Sequence, residues 1–295
     1  PRASLGSLSE ASTIFDSALM QEIITELSDQ LRPISTHTKI DDLARILTVV
    51  DGTLINALPK MTWALWRNKY NAIKAHTQFD IEKYVPIKIT ITQGNASEIE
   101  VLANNLEPGR IYVKDRGYVS FSLFTQILEA GSSFICRLKE KSVYECLQDY
   151  ELTPDALAAG IVFDKKVRLG CRERVRRQLP GPVRLIAIKC KPNKKRFRNG
   201  LGGPAQGEIV LIATDIFDLE AEVIGLIFKH RWAVEVFFRF FKHVLGCRHL
   251  LSYNHNGIEL QTYAAIIACM LIALWTGRKP TLRTYEMLCW YFTGM

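Results

Sequence analysis

Two aspartates follow apolar runs that are typical of buried strands, and their carboxylates could bind a divalent cation. Asp51 lies in the segment TVVDGT, after the β-branched and apolar run from Ile46 to Val50, and Asp115 lies in YVKDRGY. Carboxylate oxygens are the ligands that Mg²⁺ and Mn²⁺ prefer. If both strands belong to one sheet, their ends can converge on one point. Either aspartate alone is more typical of an ordinary turn, because Asp-Gly after a strand is a common turn sequence.

A third carboxylate lies in the segment FKHRWAVEVFFRFFK, whose spacing predicts a long helix. At about 100° per residue, one stripe about 60° wide carries an aromatic residue, two cations and an acid, namely Phe228, Arg231, Glu235 and Lys242. This stripe can be a solvated face supported by an ion pair between Arg231 and Glu235. Alternatively, Glu235 is a metal ligand, and the two cations beside it bind phosphate groups.

In this order the motifs resemble the catalytic motifs of a bacterial insertion-sequence DDE transposase. The similar group carries a Tyr-x2-Arg-x3-Glu-x6-Lys signature, which Arg231, Glu235 and Lys242 match in spacing. Phe228 stands where the tyrosine is usual, so the ring is kept and the hydroxyl is lost. The resemblance covers roughly residues 46–274, and the combination of motifs is far more specific than any one of them.

The resemblance implies a three-carboxylate site made of Asp51, Asp115 and Glu235 that holds two Mg²⁺ or Mn²⁺ ions. Such a pair of ions supports DNA cleavage and strand transfer at transposon ends. Further implied roles are DNA contacts from Phe228, Arg231 and Lys242. The implied fold is an α/β, ribonuclease H-like mixed sheet flanked by helices, with an antiparallel β insertion before the last catalytic helix.

A basic tract strengthens the expectation of a DNA partner. Between Lys165 and Arg198 there are fourteen Lys or Arg residues and one acid, Glu173. A cluster of this kind is either a solvated loop or a surface for the DNA backbone, whose contacts do not depend on base sequence. The predicted DNA-binding residues at its tip are Lys194, Lys195, Arg196 and Arg198.

Two further residues are expected to support the site. Thr53 follows Asp51 closely enough to donate a hydrogen bond to it, and His76 in KAHTQFD is assigned a supporting role rather than metal ligation.

The predicted elements organise the chain into five segments. Apolar periodicity, β-branched runs and the turn signals between them predict the strands and helices. One long helix is expected from Asp218 to Leu245, and the stretch from Lys139 to Asp215 is expected to be β-rich. The segments are an N-terminal helical segment at 1–45, the first part of the catalytic core at 46–138, a basic β-rich insertion at 139–215, the glutamate helix of the core at 216–256 and a C-terminal helical segment at 257–295.

Composition narrows the class of protein. With 48% hydrophobic and 23% charged residues, the 295-residue chain is typical of a globular protein, and its net charge of +8 permits an anionic partner. Seven cysteines without CxxC spacing indicate reduced cytosolic thiols rather than a zinc site or a disulfide framework. The longest apolar run, Tyr263 to Trp275, is shorter than a membrane span.

The sequence therefore predicts a cytoplasmic, nucleoid-associated transposase that acts on double-stranded DNA, at both transposon ends and target, as a homodimer without a membrane. The chain begins at Pro1 and stops at Met295 without a helix-ending signal, which indicates a fragment of a longer product. Two alternatives remain open: a truncated, non-catalytic DNA-binding relic of a transposase, and a metal-dependent nuclease of the same fold.

Overall fold

The protein is a mixed α/β chain that forms two compact units. The computed structural model describes residues 4–34, 38–41, 43, 45–67, 70–170, 179–190 and 209–294. The first unit comprises Pro1–Asp41, Thr48–Leu102 and Trp232–Met295, and the second comprises Asp42–Leu47 and Ala103–Arg231.

The described α-helices are α1 Leu5–Ile14, α2 Ala18–Gln30, α3 Thr38–Asp41, α4 Glu98–Ala103, α5 Phe121–Glu129, α6 Pro154–Ala159, α7 Ala221–His230, α8 Trp232–His243, α9 His255–Thr276 and α10 Leu282–Thr293. The described strands are β1 Ile46–Asn56, β2 Leu65–Arg67, β3 Tyr70–Asp80, β4 Val85–Gln93, β5 Arg110–Lys114, β6 Ser133–Arg137, β7 Tyr144–Asp149, β8 Ile161–Leu169, β9 Val183–Lys189 and β10 Ile209–Thr214.

In the first unit, β3 is the central strand of an antiparallel sheet. It pairs with β1 along one edge and with β4 and β2 along the other. Side chains alternate between the two faces of a strand, so Ile89 and Ile91 of β4 are buried while Thr90 between them is partly exposed. Helix α9 packs against β4 and against α1 and α2, and these elements form the core of the unit.

In the second unit, the strand order is β5-β6-β10-β9-β8-β7. Strands β5 and β6 are parallel, and every later pair is antiparallel. Helix α5 crosses between the two parallel strands, and its buried Phe124 stacks on Phe134 of β6 with ring centroids 4.2 Å apart. The predicted β-rich stretch thus extends the sheet that β5 and β6 begin.

Helix α9 is long and apolar enough to cross a membrane by length and composition alone. Of its most apolar window, 56% is buried inside the protein. Asn254 caps its first turn by accepting a hydrogen bond from the Gly257 N–H, and Gly277 ends it in the left-handed region. Burial of this kind is typical of a core helix.

Most predicted elements form within a few residues of their expected bounds, but two predicted bounds are wrong and one helix, α6, was not predicted. The strand expected to stop at Val50 continues to Asn56. The single helix expected from Asp218 to Leu245 is divided at Arg231 into α7 and α8, and it begins at Ala221 after the N-cap Glu220.

Candidate functional site

Asp51 lies in the middle of β1, not at a turn. The ladder with β3 continues past it, from the pair Thr48↔Asp80 to the pair Asn56↔Ala72. Its side-chain Oδ1 accepts a hydrogen bond of 2.8 Å from the backbone N–H of Gly52. The carboxylate is therefore held on a paired strand, which moves less than a turn does.

The carboxylate end of Glu98, from α4, lies close to Gly52, and the pairing of Gly52 with His76 of β3 keeps the Asp-Gly pair within the strand. A Cβ built on Gly52 would lie 3.0 Å from Glu98 Oε1 and 3.2 Å from Glu98 Cδ. The same carboxylate lies 3.3 Å from Lys74 Nζ, which also donates to the carbonyl of Ala96 at 3.0 Å. Glycine in a strand commonly marks a position of this kind.

The face of the sheet that carries Asp51 also carries helix α8. Strand alternation places Asp51 and Thr53 on one face, together with Thr77 and Phe79 of β3, because Asp51 pairs with Thr77. The ring of Phe237 in α8 packs on Phe79 with centroids 5.6 Å apart. Helix α8 thus covers the face toward which Asp51 points.

A second contact fixes the direction of α8. Lys242 Nζ donates a 2.8 Å hydrogen bond to the backbone carbonyl of Leu54, and burial lowers the pKa of this lysine. Phe79 pairs with Val49, so α8 passes from Phe79 of β3, beside Val49, at Phe237 to Leu54 of β1 at Lys242, in the same direction as β1. Glu235 is seven residues before Lys242 and therefore on the same side of the helix, within about 20°. Asp51, Thr53, Glu235 and Lys242 belong to one unit, and Phe237, which packs on the sheet, lies about 160° around the helix from Glu235.

Phe228 and Arg231 belong to the second unit, because the helix is divided between them and Glu235. Arg231 keeps helical dihedral angles (φ −50°, ψ −31°), and its N–H bonds to the carbonyl of Phe228 at 3.1 Å, three residues back. This tightened turn ends α7. Of the four residues predicted to share one helical stripe, only Glu235 and Lys242 therefore lie on the same helix, α8.

Asp115 directly follows β5, as the sequence predicts, and starts the 3₁₀ turn Arg116–Tyr118. In the described part of the chain, its buried Oδ1 has no hydrogen-bond partner, while its backbone carbonyl accepts a weak bond of 3.7 Å from Cys136 Sγ. A buried carboxylate oxygen without a partner is costly to the fold, so a site of this kind is suited to a bound cation.

The residue before Asp115 is a fully buried lysine that sequence reasoning missed. Lys114 Nζ lies 4.4 Å from the ring centroid of Phe124 and 5.3 Å from that of Phe134. Burial lowers the pKa of this lysine to about 8, against the opposing effects of Cys136 and Asp215. A lysine as the last residue of a strand is ordinarily exposed, so no local signal could have identified it.

The two remaining support candidates lie on different faces. Thr53 is on the face of Asp51, whereas His76 pairs with Gly52 and shares the opposite face with Lys74. His76 is only 7% exposed, its Nε2 is 2.9 Å from Thr92 Oγ1, and burial followed by the charge of Lys74 lowers its pKa to about 4. His76 is therefore a neutral histidine of β3 on the face of the sheet opposite the Asp51 carboxylate.

The four predicted DNA-binding residues of the basic tract, Lys194, Lys195, Arg196 and Arg198, lie outside the described residues. Among the residues that the structure does describe, no group of three or more His, Cys, Asp and Glu side chains is placed to hold a metal ion. Asp51 and Glu235 are in the first unit and Asp115 is in the second. Their donor chemistry, carboxylate oxygens alone, fits Mg²⁺ or Mn²⁺ and not zinc.

Comparison with known proteins gives one family and several relatives. Residues 43–271 match the model of the Transposase DDE domain family. The chain is 26% identical over 231 residues to a putative transposase of Sinorhizobium fredii, covering 78% of this chain and 60% of that protein. It is also 26% identical to a probable transposase for the insertion sequence element IS5377 of Geobacillus stearothermophilus, covering 77% of this chain and 55% of the relative.

A putative transposase for the insertion sequence element IS4SA of Synechocystis is 22% identical over 275 residues, which is 92% of this chain and 71% of that protein. The chain thus spans less than two thirds of the length of the first two relatives.

Proposed function

This chain belongs to the Transposase DDE domain family of bacterial insertion sequences, and on that premise we propose that it cleaves DNA and transfers strands at transposon ends. Asp51, Asp115 and Glu235 hold two Mg²⁺ or Mn²⁺ ions in this proposal. The proposed core is a ribonuclease H-like sheet, interrupted by the antiparallel strands between Asp115 and Glu235.

The observation that carries the proposal is the anchoring of α8 along β1. The hydrogen bond from Lys242 to the carbonyl of Leu54 supports a position for Glu235 near β1, because the two residues lie within about 20° of each other around α8. Asp51 and Glu235, from distant parts of the sequence, belong to one unit. The partnerless buried oxygen of Asp115 supports its role as the third ligand.

The side chains of the proposed site have separate tasks. The three carboxylates would hold and neutralise the cations, and the chemistry that such a metal pair would supply is activation of water or a 3′-hydroxyl and stabilisation of the leaving oxygen of the phosphodiester. Arg231 and Lys242 orient the DNA by binding backbone phosphates, and Phe228 supplies an apolar surface for a nucleotide. The Lys242 ammonium has three N–H donors, so it can donate to a phosphate while it keeps its bond to the carbonyl of Leu54.

The proposed partner is double-stranded DNA, bound by a homodimer in the cytoplasm at the nucleoid. The names of the relatives are those of transposases, and the excess of Lys and Arg over Asp and Glu favours a polyanionic partner. The alternative is a non-catalytic DNA-binding relic, which is favoured by one observation, the phenylalanine at position 228 in place of the signature tyrosine.

Nicking of a supercoiled plasmid in Mn²⁺ or Mg²⁺ tests the proposal. We expect metal-dependent nicking that falls by at least about a hundredfold in Glu235→Gln, because loss of one ligand charge disables the metal pair. Glu286→Gln, which changes an exposed glutamate of α10, is the matched control and should nick like the wild type.

Joining of a labelled transposon end to a target plasmid then separates strand transfer from simple hydrolysis. Nicking without joining would favour the nuclease alternative. Salt-sensitive DNA binding with no nicking in any variant would overturn the catalytic proposal and favour the relic.

A further inference from the structure

Thr77 is the residue of β3 that lies directly opposite Asp51. The antiparallel register pairs the two residues, and both point to the face that α8 covers. Directly opposed residues in an antiparallel pair have Cβ atoms about 4.5–5.5 Å apart. A threonine hydroxyl at this position therefore comes within reach of the aspartate carboxylate by rotation about χ1.

The hydroxyl of Thr77 is buried among apolar neighbours. The residue is only 2% exposed, and within the described chain its Oγ1 has no hydrogen-bond partner. On the same face, Ile89 of β4 flanks it on the side away from Asp51, and Ala75 and Phe79 lie along its own strand. Burying a hydroxyl without a partner opposes folding, and a valine of the same shape would pack there without that cost.

Another buried threonine of the chain shows the contrast. Thr214 of β10 donates from Oγ1 to the carbonyl of Phe134 at 2.6 Å and accepts from the N–H of Ile216 at 3.1 Å. Its hydroxyl is fully used by the fold. The hydroxyl of Thr77 has no such structural use in the described chain, and the polar side chain across the ladder from it is Asp51.

We infer that Thr77 is a positioning residue for Asp51, a role that rests on the proposed metal site. Its hydroxyl donates to the Asp51 carboxylate when that carboxylate turns from the N–H of Gly52 to hold the cation. Supporting hydrogen bonds of this kind orient a ligating carboxylate and commonly change metal affinity by about 10–100-fold. The inference gives a role to a buried hydroxyl that makes no hydrogen bond within the described chain.

Three substitutions in the full chain test this role. Thr77→Val removes the hydroxyl and keeps the shape, Thr77→Ser restores the hydroxyl, and Thr77→Ala is a second variant without it. The matched control is Thr90→Val, on β4, because Thr90 pairs with His76 and so lies on the opposite face of the same sheet. Asp51→Asn reports whether Mn²⁺ binds at the proposed site at all.

The measurements are Mn²⁺ affinity by isothermal titration calorimetry and the melting temperature without metal. We expect Thr77→Val to melt at or above the wild-type temperature and to bind Mn²⁺ about tenfold more weakly. Thr77→Ala should show the same weakening, while Thr77→Ser and Thr90→Val should bind like the wild type.

Wild-type Mn²⁺ affinity in both Thr77→Val and Thr77→Ala, together with loss of binding in Asp51→Asn, would overturn the inference and leave the metal site intact. Equal Mn²⁺ binding by wild type and Asp51→Asn would overturn the proposed metal site and this inference with it. The two failures are therefore distinguishable.

Discussion

Lys242→Met tests whether α8 is anchored on β1 by the lysine. The ammonium donates to the Leu54 carbonyl at 2.8 Å, and the lysine side chain is partly exposed. A hydrogen bond to a charged group contributes about 1.5–3 kcal/mol when buried, and partial exposure brings this one to about 1–1.5 kcal/mol. Methionine keeps most of the apolar stem, so the loss reports the bond and not the packing.

The expected result for the free protein is a melting temperature about 2–5 °C lower, measured by circular dichroism. Lys229→Met, which changes an exposed lysine of α7, is the control and should melt like the wild type. If Lys242→Met also melts like the wild type, the hydrogen bond does not hold the helix and the argument for the placement of Glu235 loses one of its two contacts.

The proposed phosphate contact of Lys242 adds an independent expectation on DNA. Each phosphate contact contributes about −0.9 to the slope of log affinity against log salt concentration. The slope of Lys242→Met should therefore be less steep by about one contact. An unchanged slope with a lowered melting temperature would mean that the lysine anchors α8 and does not bind DNA.

Two further predictions concern buried charge. In the second unit, two nitrogens of Arg184 donate to the Asp164 carboxylate at 2.9 and 2.6 Å, and both side chains are more than nine-tenths buried. Arg184→Met leaves the carboxylate buried without its partner, so it should lower the free energy of unfolding by about 3–5 kcal/mol. In urea titrations, the double variant Arg184→Met with Asp164→Asn should lose less free energy of unfolding than the two single variants together. Strict additivity of the two losses would contradict a coupled pair. The pKa of His76 is about 4 in the folded protein and 6.5 in the unfolded chain, so only the unfolded chain binds the proton between these pH values. The free energy of unfolding of the wild type should therefore fall by up to about 3 kcal/mol between pH 6.5 and 4. His76→Gln should lose less over the same interval, and equal losses in the two proteins would show that His76 is not the group responsible.

The sequence predicted the strands well because β-branched and apolar runs, bounded by turn residues, mark them. It failed at Asp51-Gly52, where local turn chemistry favoured a strand end. The decisive interaction there is long-range, since the ladder with β3 continues through the pairs Asp51↔Thr77 and Gly52↔His76 to Asn56↔Ala72. No local pattern reveals how far a pairing with a distant strand will extend.

The prediction of helix boundaries failed for a different reason. Apolar periodicity passes through Arg231 without interruption, and that residue keeps helical dihedral angles, so the division into α7 and α8 is invisible to a pattern of residue types. Helix α6 was not predicted, although the sequence contains signals for its start: Thr153 caps the helix and Pro154 lies in its first turn. The prediction of a β-rich stretch outweighed that local signal.

Thr77 could not have been found from the sequence, since its importance depends on register. Only the pairing of β1 with β3 shows that position 77, and neither 76 nor 78, faces the side chain of Asp51. A shift of one residue would place His76 beside the carboxylate, which is close to what the sequence suggested.

The two carboxylates of the first unit differ in what holds them. Asp51 is fixed because β1 pairs with β3 both before and after position 51 along the chain. Its position therefore changes little unless the sheet itself opens. Glu235 depends on α8, whose placement rests on the Phe237–Phe79 packing and on one hydrogen bond to Leu54. Small shifts of that helix therefore move Glu235 relative to Asp51 while both side chains remain chemically intact. Substitutions at Phe237 or Lys242, neither of which is a proposed ligand, should then weaken metal binding through geometry alone, and this is why the anchoring of α8 carries the functional argument.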